Sequence, residues 1–459
     1  MQLKDTASKL VAQSERAGAS QVEAYVIHTR TSSIYIDDSF PKIADRKDEI
    51  GVGLKFIIGK KIGFTSSTLL SESAEDVVMR ARKMARVSAE DAKFVSLPDP
   101  RKAFGSFDKF YDRATGEADN DVLIEKTMML VDSAVDTNVS VPNGVLRTSS
   151  IDFHVANSLG VDTGSKLTNV FGYFTAKAEN STQVGEGVQR CWSRTLGEVD
   201  FSQVGTKLKT QALDVIRAEG FRDIWKDVAA VLAPSEAGEM LGTLIGFSAS
   251  AENVNNRSSP WTDKVGDAVA HESFTATDNG LSEMGLLSAL VDDEGTPMKE
   301  TPIIEKGVLK SYLYDSYNAA QIDLQSTGNG IRRDPRETQS AFARSTRCNA
   351  TTIEISPGNK SIEDIIGEIK KGIYIEHFAY PQVDTMAGTF SNEIRNAQLI
   401  EDGELTKKIK YALLVGNLFE ALNREVILGS DLEVHGVFDP PCCCVLPTMA
   451  ISGIELVGQ

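Results

Sequence analysis

The stretch EIGVGLKFIIGKKIGFTSS, residues 49–67, decides how this chain begins to fold. Ile50, Val52, Leu54 and Phe56 alternate with Gly51, Gly53 and Lys55, the period of two that a strand imposes on its faces. Gly59-Lys60-Lys61 interrupts the run as a turn, so the stretch reads as an antiparallel hairpin. Two further strands precede it, QVEAYVIHT (21–29) and SSIYIDDS (32–39). Before them, residues 1–18 form an amphipathic helix with Leu3, Ala7, Leu10 and Val11 on one stripe. After the hairpin, Ser73 and Asp76 make a capping box for a helix over EDVVMRARKMAR (75–86). A Pro-containing connector, residues 94–108, closes a first α+β region at about residue 115.

A second region, 116–219, begins with the helix 121–136. It continues through strands 145–160 and 168–179 and ends in a helix over 201–220 that Gly220 would stop. The remainder, 220–459, is dense in turns and strand-like, with helices expected at 234–247 and at 361–372, the latter between Ser361 as N-cap and Gly372 as stop. The expected fold is therefore α+β: two N-terminal regions with antiparallel strands, then a large, mostly β C-terminal domain built as an antiparallel sheet or barrel.

Composition narrows the function. With 459 residues, 41% hydrophobic and 25% charged, the chain has the make-up of a multi-domain globular protein. A net charge of −17 argues against nucleic-acid binding, which needs a basic face. No apolar run is long enough to span a bilayer, and no signal peptide is recognised. Five cysteines, three of them consecutive at 442–444, make no disulfide framework and point to a reducing cytoplasm.

Several motifs invite chemistry. His271-Glu272 begins a zinc-protease signature, but position 275 is Thr, and the following residues alternate like a strand entering the turn Asp278-Asn279-Gly280. GNGIRR (328–333) lacks the lysine of a phosphate loop, and it reads either as a turn with solvated arginines or as an Arg pair gripping a carboxylate or a partner. Adjacent cysteines on a strand point to opposite faces, so Cys442–Cys444 cannot all ligate one metal and read as buried small residues. Cys348 is a nucleophile only if a base can be found for it.

A series of phrases in the C-terminal half carries a resemblance. VDDEGTPMKETPIIEKGVLKSYLYDSYNA (291–319) is followed by STGNG (326–330), GIYIEHFAYPQVDTMAGTFS (372–391) and LIEDGELTKKIKYALLVGN (399–417). Together with GASQVEAYV (18–26) and the hairpin, they resemble the TldD/TldE (PmbA) family, a two-subunit zinc metalloprotease. The resemblance implies that catalytic, TldD-type subunits carry HExxxH on a helix, with a later Cys completing the site. Here the matching segment is APSEAGEMLGTLIGFSAS (233–250), and the motif positions fall on Gly242, Thr243 and Phe247, which supply no metal ligand of that kind.

The chain thus resembles the TldE type. No catalytic residue, metal or cofactor is expected in it, and zinc is expected in a TldD-like, HExxxH-bearing partner. The two would form a heterodimer around a chamber for unfolded peptides. A homodimer is the alternative when the chain is alone. Arg332, Arg333 and His377 are the substrate-binding candidates, set against a surface ion pair for the arginines. Two other readings are an autonomous hydrolase using Cys348 or a serine, and a metal-binding scaffold homodimer built on Cys442–Cys444 and His435.

Overall fold

A computed structural model describes residues 3–68, 73–103, 105–336 and 340–458. Its N-terminal half is organised by one sheet of six antiparallel strands in the order β3-β2-β1-β4-β5-β6. These are β1 Gln21–Asp37, β2 Phe40–Ile58, β3 Lys61–Ser67, β4 Val139–Asn157, β5 Asp162–Glu179 and β6 Val184–Ser193. The hairpin read from residues 49–67 is present: Ile58 pairs with Lys61, and Gly59 takes a left-handed φ of 61° at the turn. Segments 21–29 and 32–39, read as separate strands, are one continuous strand paired with β2 along its length. The expected boundary near residue 115 falls within this sheet, because β1 also pairs with β4 from Glu23↔Asn157 to Asp37↔Asn143.

Parity along β1 explains the layers. Val22, Ala24 and Val26 face the helices α1 Leu3–Arg16 and α2 Ala74–Val87, through Ala7, Leu10, Val77 and Ala81. Ile34 and Ile36 share that face and meet α3 Asn120–Ala134 and α4 Phe201–Arg217. Tyr25 and Ile27 point the other way, into a core with Phe153, Leu287, Ile331 and Phe342 from the C-terminal half. Along this stretch the sheet is covered on both faces, and its hairpin glycines are part of the reason. A Cβ on Gly51 would lie 2.1 Å from the Phe342 ring, and one on Gly53 would lie 2.7 Å from the Phe342 carbonyl.

The capping box at Ser73 and Asp76 is formed as read. Two helix stops differ. The helix α4 ends at Arg217 with Ala218 extended, and Gly220 instead pairs with Lys410. The helix after Ser361 covers only Ile362–Gly367, because Gly372 joins a strand where a Cβ would meet the Ala229 carbonyl at 2.6 Å.

In the C-terminal half the chain passes through β7 Ile224–Leu232, α5 Pro234–Ala249, β8 Ala276–Asn279, β9 Glu300–Glu305, β10 Thr352–Ile355, β11 Lys371–Phe378, β12 Thr389–Glu401, β13 Ala412–Asn417, β14 Glu433–Val437, β15 Cys442–Leu446 and β16 Met449–Gly458. Strands β11, β7, β16, β13 and β12 pair in a closed ring, the barrel of the expected fold. Strands β9, β8, β10, β15 and β14 form a second sheet. The pairing is mostly antiparallel, but β7–β11 and β10–β15 are parallel, since each pair is joined by a long connection rather than a hairpin. The apolar helix α5 lies between barrel and sheet, burying Leu241, Leu244 and Ile245 in their common core. Among the described residues no helix is long and apolar enough to cross a membrane.

Glycine contacts set the first test. A Cβ on Gly63 would lie 2.3 Å from the backbone of α2 at Ala81 and Ala85, whereas one on Gly197 meets nothing within 4 Å. Gly63→Ala should cost about 1–3 kcal/mol, because backbone on both sides must move. Gly197→Ala should be nearly neutral. Urea unfolding of both variants checks the contrast.

Candidate functional site

A cleft of about 750 Å³ runs along α5. Glu239, Thr243, Gly246, Phe247 and Ser250 line it at helical spacing. Opposite lie the loop 380–385, the start of β12, residues 347–349 and the turn 438–440. Here β12 outruns its neighbour. It pairs with β13 down to Thr389↔Asn417, but with β11 only to Ile394↔Phe378. The loop covers part of that edge through Ala379 N–H to the Glu393 carbonyl, 2.8 Å, and Asp384 N–H to the Thr389 carbonyl, 2.9 Å. Between these bonds, exposed Ser391 lies on the cleft wall, and among the described residues no strand pairs with it on that side.

The positions matched to the zinc motif fall on this helix. Gly242 turns away from the cleft, and a Cβ there would lie 2.3 Å from Val437 and 2.7 Å from the Cys444 sulfur. Thr243 donates its hydroxyl to the Asp439 carbonyl at 3.0 Å. Phe247 puts a ring into the cleft wall. One position has neither donor nor room, one hydroxyl is engaged, and one side chain is a hydrocarbon, so these residues do not fit a zinc ion. Among the described residues no group of three or more His, Cys, Asp or Glu side chains is placed to hold a metal.

The other candidates are scattered. His271 sits in a turn, not on a strand, with Nδ1 3.0 Å from the Ser273 hydroxyl; the strand covers only Ala276–Asn279. Cys442 and Cys444 pack into the core beside α5, while Cys443 faces Trp192 and Leu286 on the other side, the alternation a strand requires. Burial pushes the Cys443 thiol up to about 12. Buried Cys348 donates its thiol to the Leu313 carbonyl at 2.8 Å, and burial holds it far above the ordinary thiol range, so it is a poor nucleophile. His435 is paired with Glu239 at 3.1 Å and packs edge-on against Trp192.

Arg332 and Arg333 are not surface residues. They are 2% and 1% exposed, and the reading of a solvated ion pair is corrected by that burial. Arg332 pairs with Glu23 at 2.5 Å and stacks 4.9 Å over the Tyr25 ring. Arg333 pairs with Asp293 at 2.8 Å and lies 4.8 Å over Phe153. Both also line a second cavity, of about 490 Å³. His377 lines a third, with Nδ1 3.4 Å from Glu236. A bulge between Ile375 and His377 interrupts the regular pairing of β11 there. The three candidates do not converge on one site. Sequence reading missed Glu239, Arg347 and the edge at Ser391; only Glu239, four residues before Thr243 on the same helix, carried a local signal.

Comparison with known proteins agrees with this architecture. Residues 226–458 match the PmbA/TldA metallopeptidase C-terminal domain, and residues 22–85 match domain 1 of the same metallopeptidases. The chain belongs to the PmbA/TldD metallopeptidase family. It is 26% identical over 396 residues to a metalloprotease of Methanocaldococcus jannaschii, covering 84% of each chain. It is 31% identical over 204 residues to a metalloprotease TldD homolog of Haemophilus influenzae, covering 44% of this chain and 41% of that protein. The crystal structure of TldE from Thermococcus kodakarensis superposes with a TM-score of 0.89 at 23% identity, covering 99% of this chain and 100% of that one.

Two tests follow from the helix. Gly242→Ala should lower stability by about 1–3 kcal/mol in urea unfolding, since Val437 and Cys444 must give way. Burial alone would raise the Glu236 carboxyl, but His377 and the Phe378 N–H outweigh it and hold the group below its ordinary value. Its contribution is therefore present above the unfolded carboxyl range and is lost as pH falls through the lower folded value. Glu236→Gln should flatten the loss of stability between about pH 5 and pH 2. Unfolding midpoints at three pH values check it.

Proposed function

We propose that the chain is a non-catalytic, TldE/PmbA-type subunit that completes a proteolytic chamber with a TldD-like partner carrying HExxxH. One observation carries the reading. The helix that lines the 750 Å³ cleft has Gly242, Thr243 and Phe247 at the motif positions, none of which fits zinc. The likeness to the structure called TldE supports it. Zinc and the hydrolytic step then belong to the partner, and this chain supplies wall and binding surface.

The substrate class is unfolded protein or peptide held in extended form. The cleft supports this, because the edge of β12 near Ser391 can pair with an added strand whatever its sequence. The five free thiols support a reducing, cytoplasmic setting. The autonomous hydrolase has little support, given the buried, engaged Cys348. The metal scaffold has little either, with the three cysteines split between two faces.

Mixing the chain with an HExxxH-bearing homologue should give a stable heterodimer, with an interface on the order of 2,000 Å² or more. Peptidase activity should exceed that of either chain alone. Size-exclusion chromatography with a quenched unfolded peptide reads both. A partner that is fully active alone and ignores this chain overturns the proposal.

A further inference from the structure

The cavity lined by Arg332 and Arg333 is unlike the rest of this acidic protein. The two-residue strands Gly330–Ile331 and Arg347–Cys348 pair antiparallel, with Ile331 opposite Arg347. That pairing gathers Arg332, Arg333, Arg344 and Arg347 around about 490 Å³, beside Ser345 and Asn349, and no Asp or Glu is among the described residues lining it. Arg347 and Asn349 also line the 750 Å³ cleft, so the cavity opens off the proposed peptide site.

The charges there are not all compensated. Arg332 has Glu23 and Arg333 has Asp293. Arg344 Nη2 comes only within 3.9 Å of Asp334, whose carboxylate Arg336 already holds at 2.9 and 3.1 Å. Arg347, exposed, makes no ion pair among the described residues. Buried donors also remain. Among the described residues, Arg332 Nε, on a side chain 1% exposed, has no hydrogen-bond partner, and neither do Nε and Nη2 of Arg344. A buried charged donor left without an acceptor is costly, so such groups mark a place where an acceptor is to be supplied. In a chain of net charge −17, this is where an anion is attracted rather than repelled.

We propose that this cavity is a carboxylate subsite of the cleft. It takes one carboxylate of an extended peptide, held by the planar guanidinium groups of Arg347 and Arg344. The inference rests on the peptide-binding role proposed above and names the chemistry that role selects. Free and bound carboxylate could come from the peptide's C-terminus or from an Asp or Glu side chain. Both present the same two oxygens, which match an arginine fork in two parallel hydrogen bonds.

The test is fluorescence anisotropy of N-terminally labelled, unstructured peptides with the purified full chain. Three peptides are compared: one with a free C-terminus and one Glu, its C-terminal amide, and its Glu→Gln form. At least one change should weaken binding about tenfold or more, the loss expected for a charge-assisted hydrogen bond. Loss on amidation identifies the terminus; loss on Glu→Gln identifies the side chain. Arg347→Ala should weaken the parent peptide similarly and erase the difference between peptides. Arg347→Lys should restore charge but not the discrimination. Circular dichroism confirms folding, which the exposed position of Arg347 favours. Peptides that bind equally well whatever their carboxylates, with Arg347→Ala without effect, overturn the subsite and leave the peptide role standing. Failure of every peptide to bind overturns both.

Discussion

Two guanidinium groups with almost no access to water hold the halves of this molecule together. Arg332 reaches from the C-terminal half to Glu23 on β1, and Arg333 is held by Asp293 while lying over Phe153 of β4. Asp293 also accepts the backbone N–H of Arg332 at 2.6 Å and the hydroxyl of Tyr25 at 3.3 Å. A third buried arginine, Arg194, follows β6 and donates to the carbonyls of Phe110, Glu283 and Ser288. Buried pairs of this kind are weak evidence for net stability, because desolvation offsets most of the attraction. Their geometry is nevertheless demanding. Removing one partner strands a charge at a cost of about 3–5 kcal/mol, so only the native register of the two halves satisfies both.

That seam positions the cleft. The strand Gly330–Ile331 runs directly into Arg332, and it is paired with Arg347–Cys348, which lines the cleft floor. Gly330 is required beside Glu294, whose carboxylate a Cβ would meet at 2.5 Å. Glu294 in turn accepts the Ser316 N–H and the Thr346 hydroxyl. The phrase VDDEGTP is thus a buried polar junction. Burial and the neighbouring Glu294 hold Asp292 well above the ordinary carboxyl range. The cleft wall on the other side is α5, whose place between barrel and second sheet leaves one stripe of the helix facing solvent.

At the positions matched to the zinc motif, packing constrains the helix as much as residue chemistry does. The helix sits against β14 and β15 so closely at Gly242 that no larger residue is accommodated without moving Val437 and Cys444. Thr243 is tied to the turn at Asp439, and Phe247 fills space beside it. The cleft is lined by a strand edge, by Glu239, which is paired with His435, by Glu252, and by arginine at one end.

The amino-acid pattern alone determined much of the local structure. The alternation in 49–67 gave the hairpin, Ser73 with Asp76 gave the cap, and strand parity separated Cys443 from Cys442 and Cys444. It also determined that Gly242, Thr243 and Phe247 stand where donors would be needed. These are legible because period and capping depend on residues a few positions apart. Where a helix stopped was less legible, since Gly372 was claimed by a neighbouring strand. The tertiary structure decided the fate of the arginines. Arg332 looks like a loop residue in sequence, and its partner Glu23 is 309 positions away. It decided, too, that His377 and the arginines line different cavities, and that Arg347 belongs to the cleft. No local pattern encodes which distant backbone removes water from a side chain, and removal of water is what turns an exposed arginine into a structural charge.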